Sequence, residues 1–255
     1  MLSKLGALMG FFCAVLAQAC AAAEPAPAVP SDPRGPVSVI AQPVLGKDGK
    51  IAPAWEKSHQ AFVARAKAGN IGLLFLGDSI TAGWGAAPEL WNKEFAAWNP
   101  ANFGIGGDRT QNLLWRITNG ELDGIHPRVV VILIGTNNIG DEFEIAAAGV
   151  TEVVKMVRLT LPTSKILLLG VFPRGKSWED GGRRITRNIN RLIAKLDDGA
   201  HIFYLDLTSH FVQPDNTLLK SQFPDLLHPS PEGYQVWADQ MRPLLTRLMS
   251  EDTGK

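Results

Sequence analysis

Ile71-Gly72-Leu73-Leu74-Phe75-Leu76-Gly77-Asp78-Ser79-Ile80-Thr81 is the stretch on which the reading of the fold turns. Residues 71–76 form a short apolar run that stops at Gly77, the pattern of a strand buried on both faces of a parallel sheet. Similar runs recur at 128–134, rich in valine and isoleucine and ending at Gly135, at 165–171, and at 201–205, ending at Asp206. Ala101-Asn102-Phe103 is a weaker fifth candidate. Helix-like stretches lie at 88–97, 110–119, 143–161 and 182–196. A last one covers 231–249, with Pro231 suited to a first helical turn and Pro243 placed to kink it. Strand then helix, repeated in this way, predicts an open, mostly parallel five-stranded α/β sheet with helices on both faces. Ligands of such sheets bind beyond the carboxyl ends of the strands. The residues that carry chemistry should therefore follow the apolar runs, and they do.

Ser79 follows the first run. A serine at a strand-to-helix turn presents its hydroxyl at the top of the sheet, where the next helix N-terminus favours developing negative charge. Asp78 or Ser79 would equally serve as an ordinary helix cap. Asn102-Phe103-Gly104-Ile105-Gly106-Gly107-Asp108 follows the weak second run. Its glycines allow a backbone N–H to approach a ligand, but Arg109 stands where a dinucleotide-binding loop needs its last glycine. Gly135-Thr136-Asn137-Asn138 follows the strongest run, and an asparagine amide is a neutral double donor suited to an oxyanion. Asp225 and His228, in Asp225-Leu226-Leu227-His228-Pro229, can face each other on one helical turn, the carboxylate fixing the imidazole tautomer. His210 is the best rival base and Asp206 the best rival acid. Together these residues supply a nucleophile, a base, an orienting acid and oxyanion donors for acyl transfer. The Gly-x-Ser-x-Gly elbow is absent, and no spaced His/Asp cluster supports a metal.

The 255 residues balance 25 Lys+Arg against 25 Asp+Glu, leaving no basic footprint for nucleic acid or anionic lipid. Lys4, the apolar stretch 5–16 and Ala21-Ala22-Ala23 ahead of Glu24 follow the order of a signal peptide. Residues 1–23 are therefore expected to be removed on export to a periplasmic or secreted location, with no stable membrane insertion afterwards. A retained anchor is the alternative. Lipid attachment at Cys20 is disfavoured by the poor Ala17-Gln18-Ala19 context. Cys13 and Cys20 are the two cysteines, so the rest of the chain offers no disulfide framework and no thiol nucleophile. Residues 24–49 read as a Pro/Ala-rich linker and extension, and 50–250 as one hydrolase domain.

These blocks resemble the SGNH (GDSL-type) hydrolase superfamily, whose motifs carry Ser, Gly, Asn and His in that order. The matching positions are Ser79, Gly107, Asn137 and His228, with Asp225 where the family keeps its acid. Within the family the chain shows a closer resemblance to the branch of the intracellular platelet-activating factor acetylhydrolase catalytic subunits. That likeness rests on 102–109, Leu114-Trp115-Arg116, Asn119-Gly120-Glu121-Leu122, 135–138 and Pro173-Arg174-Gly175. Ile80 replaces the leucine of the GDSL name, and Asn138 stands where many members keep Asp. The resemblance implies a flavodoxin-like three-layer α/β/α domain, the SGNH hydrolase fold, and catalysis without a cofactor or metal. It also implies an oxyanion hole of the Ser79 and Gly107 N–H groups and the Asn137 amide. The expected substrate is a short acyl ester, acetyl especially, of a carbohydrate or small lipid. Trp84, Trp91, Trp98, Trp115 and Trp178 could supply a stacking surface, with core packing the alternative for several and the preferred reading for Trp115, which lies in an apolar helix. A lysophospholipase or thioesterase of the same superfamily, or a non-catalytic carbohydrate- or lipid-binding module on this fold, is the alternative. No helix surface singles out a dimer face, so the oligomeric state is not assigned.

Overall fold

The computed structural model describes residues 37–251. The five apolar runs become β1 (Leu73–Gly77), β2 (Pro100–Gly104), β3 (Val129–Leu133), β4 (Lys165–Leu169) and β5 (Ile202–Leu205). They pair in parallel in the order β2-β1-β3-β4-β5. β1 and β3 are buried at every position, as their unbroken apolar character requires. β2 is an edge strand with alternating burial, which explains its weak sequence signal.

Alternate residues of each strand face opposite layers. Leu74, Leu76, Val130 and Ile132 meet one set of helices: α1 (Pro53–Lys67), α4 (Thr110–Arg116), α5 (Phe143–Thr160) and α6 (Gly181–Ile193). Leu73, Phe75, Val129 and Val131 meet the other: α2 (Ser79–Ala82), α3 (Pro88–Phe95), α7 (Thr208–Phe211) and α8 (Pro231–Ser250). This is the expected three-layer α/β/α arrangement. Each such side chain, fully buried, contributes roughly 1.5–3 kcal/mol. Residues 37–49 lie against the first layer. The buried Ser38 accepts at its carbonyl from Thr110 Oγ1 at 2.8 Å, and Gln42 N–H donates to the Gln111 carbonyl at 3.0 Å.

Several elements depart from the sequence reading. α1 was not anticipated: its buried positions are Trp55, His59 and Ala66, and a histidine and an alanine give little apolar periodicity. The helix expected over 110–119 leaves α geometry after Arg116, passing through a wide turn at Ile117–Glu121 in which Asn119 and Gly120 are non-helical. α8 runs as one helix with Pro243 inside it. Trp84 is not open for stacking: it is 1% exposed and packs among Phe75, Phe95, Tyr234 and Trp237.

Chain order reverses around β1: β2 lies on one side of it and β3 on the other. Such a switch point opens a crevice at the carboxyl ends of the central strands, and Ser79 and Asn137 leave β1 and β3 at that end.

Candidate active site

β1 ends at Gly77, and α2 begins at Ser79. The cap between them is Asp78, whose Oδ1 accepts from the Ile80 N–H at 2.9 Å. That leaves the Ser79 hydroxyl free of capping. Asp78 is 1% exposed, and burial pushes its carboxyl up to about 7. The nearby Asp108 charge adds to the rise, while the Ile80 N–H and Arg174 oppose it.

Ser79 Oγ lies 3.0 Å from His228 Nε2, and His228 Nδ1 lies 2.6 Å from Asp225 Oδ2. With Nδ1–H donated to the carboxylate, Nε2 is left to accept from the serine. Asp225 and His228 do not share a helical turn, contrary to the expectation from their spacing. They sit in an irregular segment before α8, where Asp225 Oδ1 accepts from the Leu227 N–H at 3.0 Å and the His228 N–H at 2.7 Å. Leu226, between them, adopts a left-handed φ of 61°, a strained conformation for a branched side chain. Partial burial raises the Asp225 carboxyl, but hydrogen bonds from the His228 ring and the two N–H groups outweigh it and hold the group below its ordinary value. The rivals stand elsewhere. Asp206 caps Thr208 N–H at 2.8 Å and meets Tyr204 Oη at 3.3 Å, and His210 is exposed on α7.

Gly107 takes φ +82°, a left-handed conformation that glycine adopts without strain, and nothing lies where a Cβ would project. Among the described residues, no acceptor meets the N–H of Ser79 or of Gly107. Asn137 donates one Nδ2 proton to the Asp108 carbonyl at 2.9 Å, and the amide carries a second. Asn138 is fully buried and bonds Thr110, Ser38, Gln111 and Asp141, so its role is to hold the loop. The arrangement offers an alcohol nucleophile, a base oriented by a carboxylate, and neutral donors on neighbouring loops.

Two clefts flank these residues. One of about 380 Å³ is lined by Val44, Trp55, Ile105, Gly106 and Gly107. The other, of about 340 Å³, is lined by Ile139, Arg174, Lys176, Asp225 and Leu227. A separate cleft of about 250 Å³, beside Trp178, Arg187, Tyr204 and Asp206, touches none of Ser79, Asp225 and His228. The sequence reading left Arg174 without a role. It donates to the Thr136 carbonyl at 2.9 Å, tying the loop after β4 to the loop that carries Asn137.

A model of the GDSL-like lipase/acylhydrolase family matches residues 75–236. Platelet-activating factor acetylhydrolase IB subunit alpha1 from Bos taurus is 36% identical over 202 residues, covering 79% of this chain and 86% of its own. Subunit alpha2 from Rattus norvegicus is 32% identical over 219 residues, covering 86% and 95%. Two solved structures share the fold. A GDSL-like lipase from Bacteroides thetaiotaomicron superimposes with a TM-score of 0.61 at 18% identity, covering 74% of this chain and 97% of its own. An acetylxylan esterase from Geobacillus stearothermophilus gives 0.54 at 18% identity, covering 73% and 99%.

The comparison corrects the expected location. The relatives are subunits of the intracellular acetylhydrolase, which conflicts with export to the periplasm or medium, and that expectation is withdrawn. Residues 1–23, and Cys20 with them, lie outside the described residues, and no described helix is long and apolar enough to cross a membrane. With its family model matched over most of the sheet and its acetylhydrolase relatives aligned over four fifths of its length, this chain belongs to the GDSL-like lipase/acylhydrolase family and is an ester hydrolase.

Proposed function

We propose that this enzyme removes short acyl groups, acetyl above all, from a carbohydrate or small lipid, with Ser79 as nucleophile, His228 as general base and Asp225 as the group that orients it. The observation that carries the reading is the continuous chain of two short hydrogen bonds from the Ser79 hydroxyl through the imidazole to Asp225.

In the first step Ser79 Oγ attacks the ester carbonyl while its proton passes to His228 Nε2. Asp225 stabilises the imidazolium through Nδ1–H. The carbonyl electrons move onto oxygen, which the N–H groups of Ser79 and Gly107 and the second amide proton of Asn137 receive. Collapse breaks the ester C–O bond. The leaving alcohol takes the proton from Nε2, and the acyl group stays on Ser79. Water then gives its proton to His228, attacks the acyl-serine and frees the acid, and the proton returns to Ser79. Every proton is carried by a residue of this chain. The preference for a short acyl group is supported by the acetylhydrolase relatives.

The test is a chain-length series of p-nitrophenyl esters, from acetate upward, with wild type and Ser79→Ala. The expected result is turnover highest on acetate, falling with chain length and abolished in the variant. Retained activity in Ser79→Ala would remove the serine from the mechanism, and a maximum on long chains would overturn the acyl assignment in favour of a lysophospholipase-like enzyme.

A further inference from the structure

Leu114-Trp115-Arg116 and Asn119-Gly120-Glu121-Leu122 have no part in the proposed chemistry, yet they build a buried ion network directly beneath it. Arg116, Asp108 and Glu121 are all 0% exposed. Arg116 Nε donates to Asp108 Oδ2 at 2.8 Å, and Nη1 donates to Glu121 Oε2 at 2.7 Å and to the Phe103 carbonyl at 2.9 Å. Nη2 donates to the Gly77 carbonyl at 3.1 Å. The outer ends are held as well. Trp55 Nε1 donates to Asp108 Oδ1 at 2.6 Å, and His59 Nδ1 lies 3.0 Å from Glu121 Oε1.

A network of this kind is weak evidence for stability, since buried ion pairs are often matched or bettered by apolar packing. Its contacts indicate another use. Gly77 leads through Asp78 to Ser79. Asp108 follows Gly107 directly, and its carbonyl fixes the Asn137 amide at 2.9 Å. One planar guanidinium therefore grips the end of β1, the end of β2 and the glycine loop, the segments that place Ser79 and Gly107, while Asn137, which follows β3, is held only through the Asp108 carbonyl. The fork is rigid, and lysine, a single point of charge on a flexible stem, cannot reproduce four directed bonds.

We propose that Arg116 is a positioning residue that sets the geometry of the oxyanion site. It touches no substrate and acts through Gly77, Asp108 and, by way of the Asp108 carbonyl, Asn137. The inference rests on the reading of Ser79, Gly107 and Asn137 given above. Donors that stabilise a transition state must be held to within a fraction of an ångström, so loosening the fork should lower turnover and leave ground-state binding alone.

The test is a double-variant cycle on p-nitrophenyl acetate hydrolysis with Arg116→Lys, Asn137→Ala and both together, each checked by circular dichroism and thermal melting. Arg116→Lys is expected to lower kcat by about tenfold or more with KM within about twofold. Its effect should shrink at least threefold in the Asn137→Ala background, because a donor it positions is already gone. An unchanged kcat, a loss expressed in KM, or a smaller shrinkage than threefold overturns the inference. If Arg116→Lys does not fold, Asp108→Asn, which keeps the shape and removes the carboxylate, takes its place in the cycle under the same criteria. The failure of the underlying site would look different: Ser79→Ala or Asn137→Ala would then turn over like wild type, whatever the cycle gave.

Discussion

The Ser79 hydroxyl meets the His228 ring at 3.0 Å although 149 positions separate them in the chain. Ser79 is placed by the end of β1, between β2 and β3 in the sheet. His228 is placed by the irregular segment that precedes α8. Tyr234, on the first turns of α8, donates its hydroxyl to the Ile80 carbonyl at 2.7 Å and so ties the two elements together beside the site.

Asp225 is more than half exposed, with 55% of its side-chain surface open, so its pairing with His228 adds little to stability. Its effect should appear in turnover. Asp225→Asn keeps the acceptor for the Leu227 and His228 N–H groups but no longer selects the Nδ1–H tautomer. We expect kcat to fall by roughly a thousand- to ten-thousandfold with an unchanged melting temperature. Turnover within tenfold of wild type would show that His228 is oriented by something else.

Asn137 is half-buried and makes one hydrogen bond to the Asp108 carbonyl, so its removal should cost only about 1 kcal/mol of stability. Asn137→Ala should nevertheless lower kcat by roughly a hundred- to a thousandfold, the usual loss of one oxyanion donor. Steady-state kinetics beside a denaturant melt separate the two effects. Near-wild-type turnover would exclude the side chain from the oxyanion site.

Burial raises the Asp78 carboxyl to about 7, well above the value it has in the unfolded chain. The folded state therefore holds this proton longer than the unfolded state does. Its contribution to stability is complete at acid pH and is lost as pH rises through about 7. Asp78→Asn preserves the cap on Ile80 and cannot ionise. The melting temperature of the variant should gain on that of wild type between about pH 4 and pH 7 and level off above that. A constant difference across that range would mean that Asp78 does not titrate there.

Gly77 has no room for a side chain: a methyl group would overlap the Thr81 side chain and the Leu133 carbonyl on β3. Both neighbours are fixed, one by the turn into α2 and one by the sheet. Gly77→Ala should lose more than about 3 kcal/mol and move Ser79 with it, reducing activity as well as stability. A variant that melts with wild type would show that the β1–α2 junction yields more than its packing indicates.

How far these features could be read in advance varied from element to element. β1 and β3 were plain because a strand covered on both faces is apolar throughout. β2 was faint because an edge strand carries Pro100 and Asn102 without disturbing the sheet. α1 escaped notice because its inward face is Trp55, His59 and Ala66, and the histidine counts as apolar only once Glu121 satisfies it. The segments around Arg116 and Glu121 stood out by resemblance, but the network they form needed coordinates.

Local pattern was enough to establish a parallel α/β sheet, the positions of its strands and the loops in which reactive side chains would lie, because burial imposes its periodicity residue by residue. It was also enough to single out Ser79, Asn137, Asp225 and His228 as a candidate set. It could not say that Asp225 faces the imidazole from a strained turn instead of a helix, or that Arg116 lies beneath the ends of β1 and β2 at once. The latter relation joins residues far apart in the chain, and it exists only after strand order and register have brought the ends of β1 and β2 side by side.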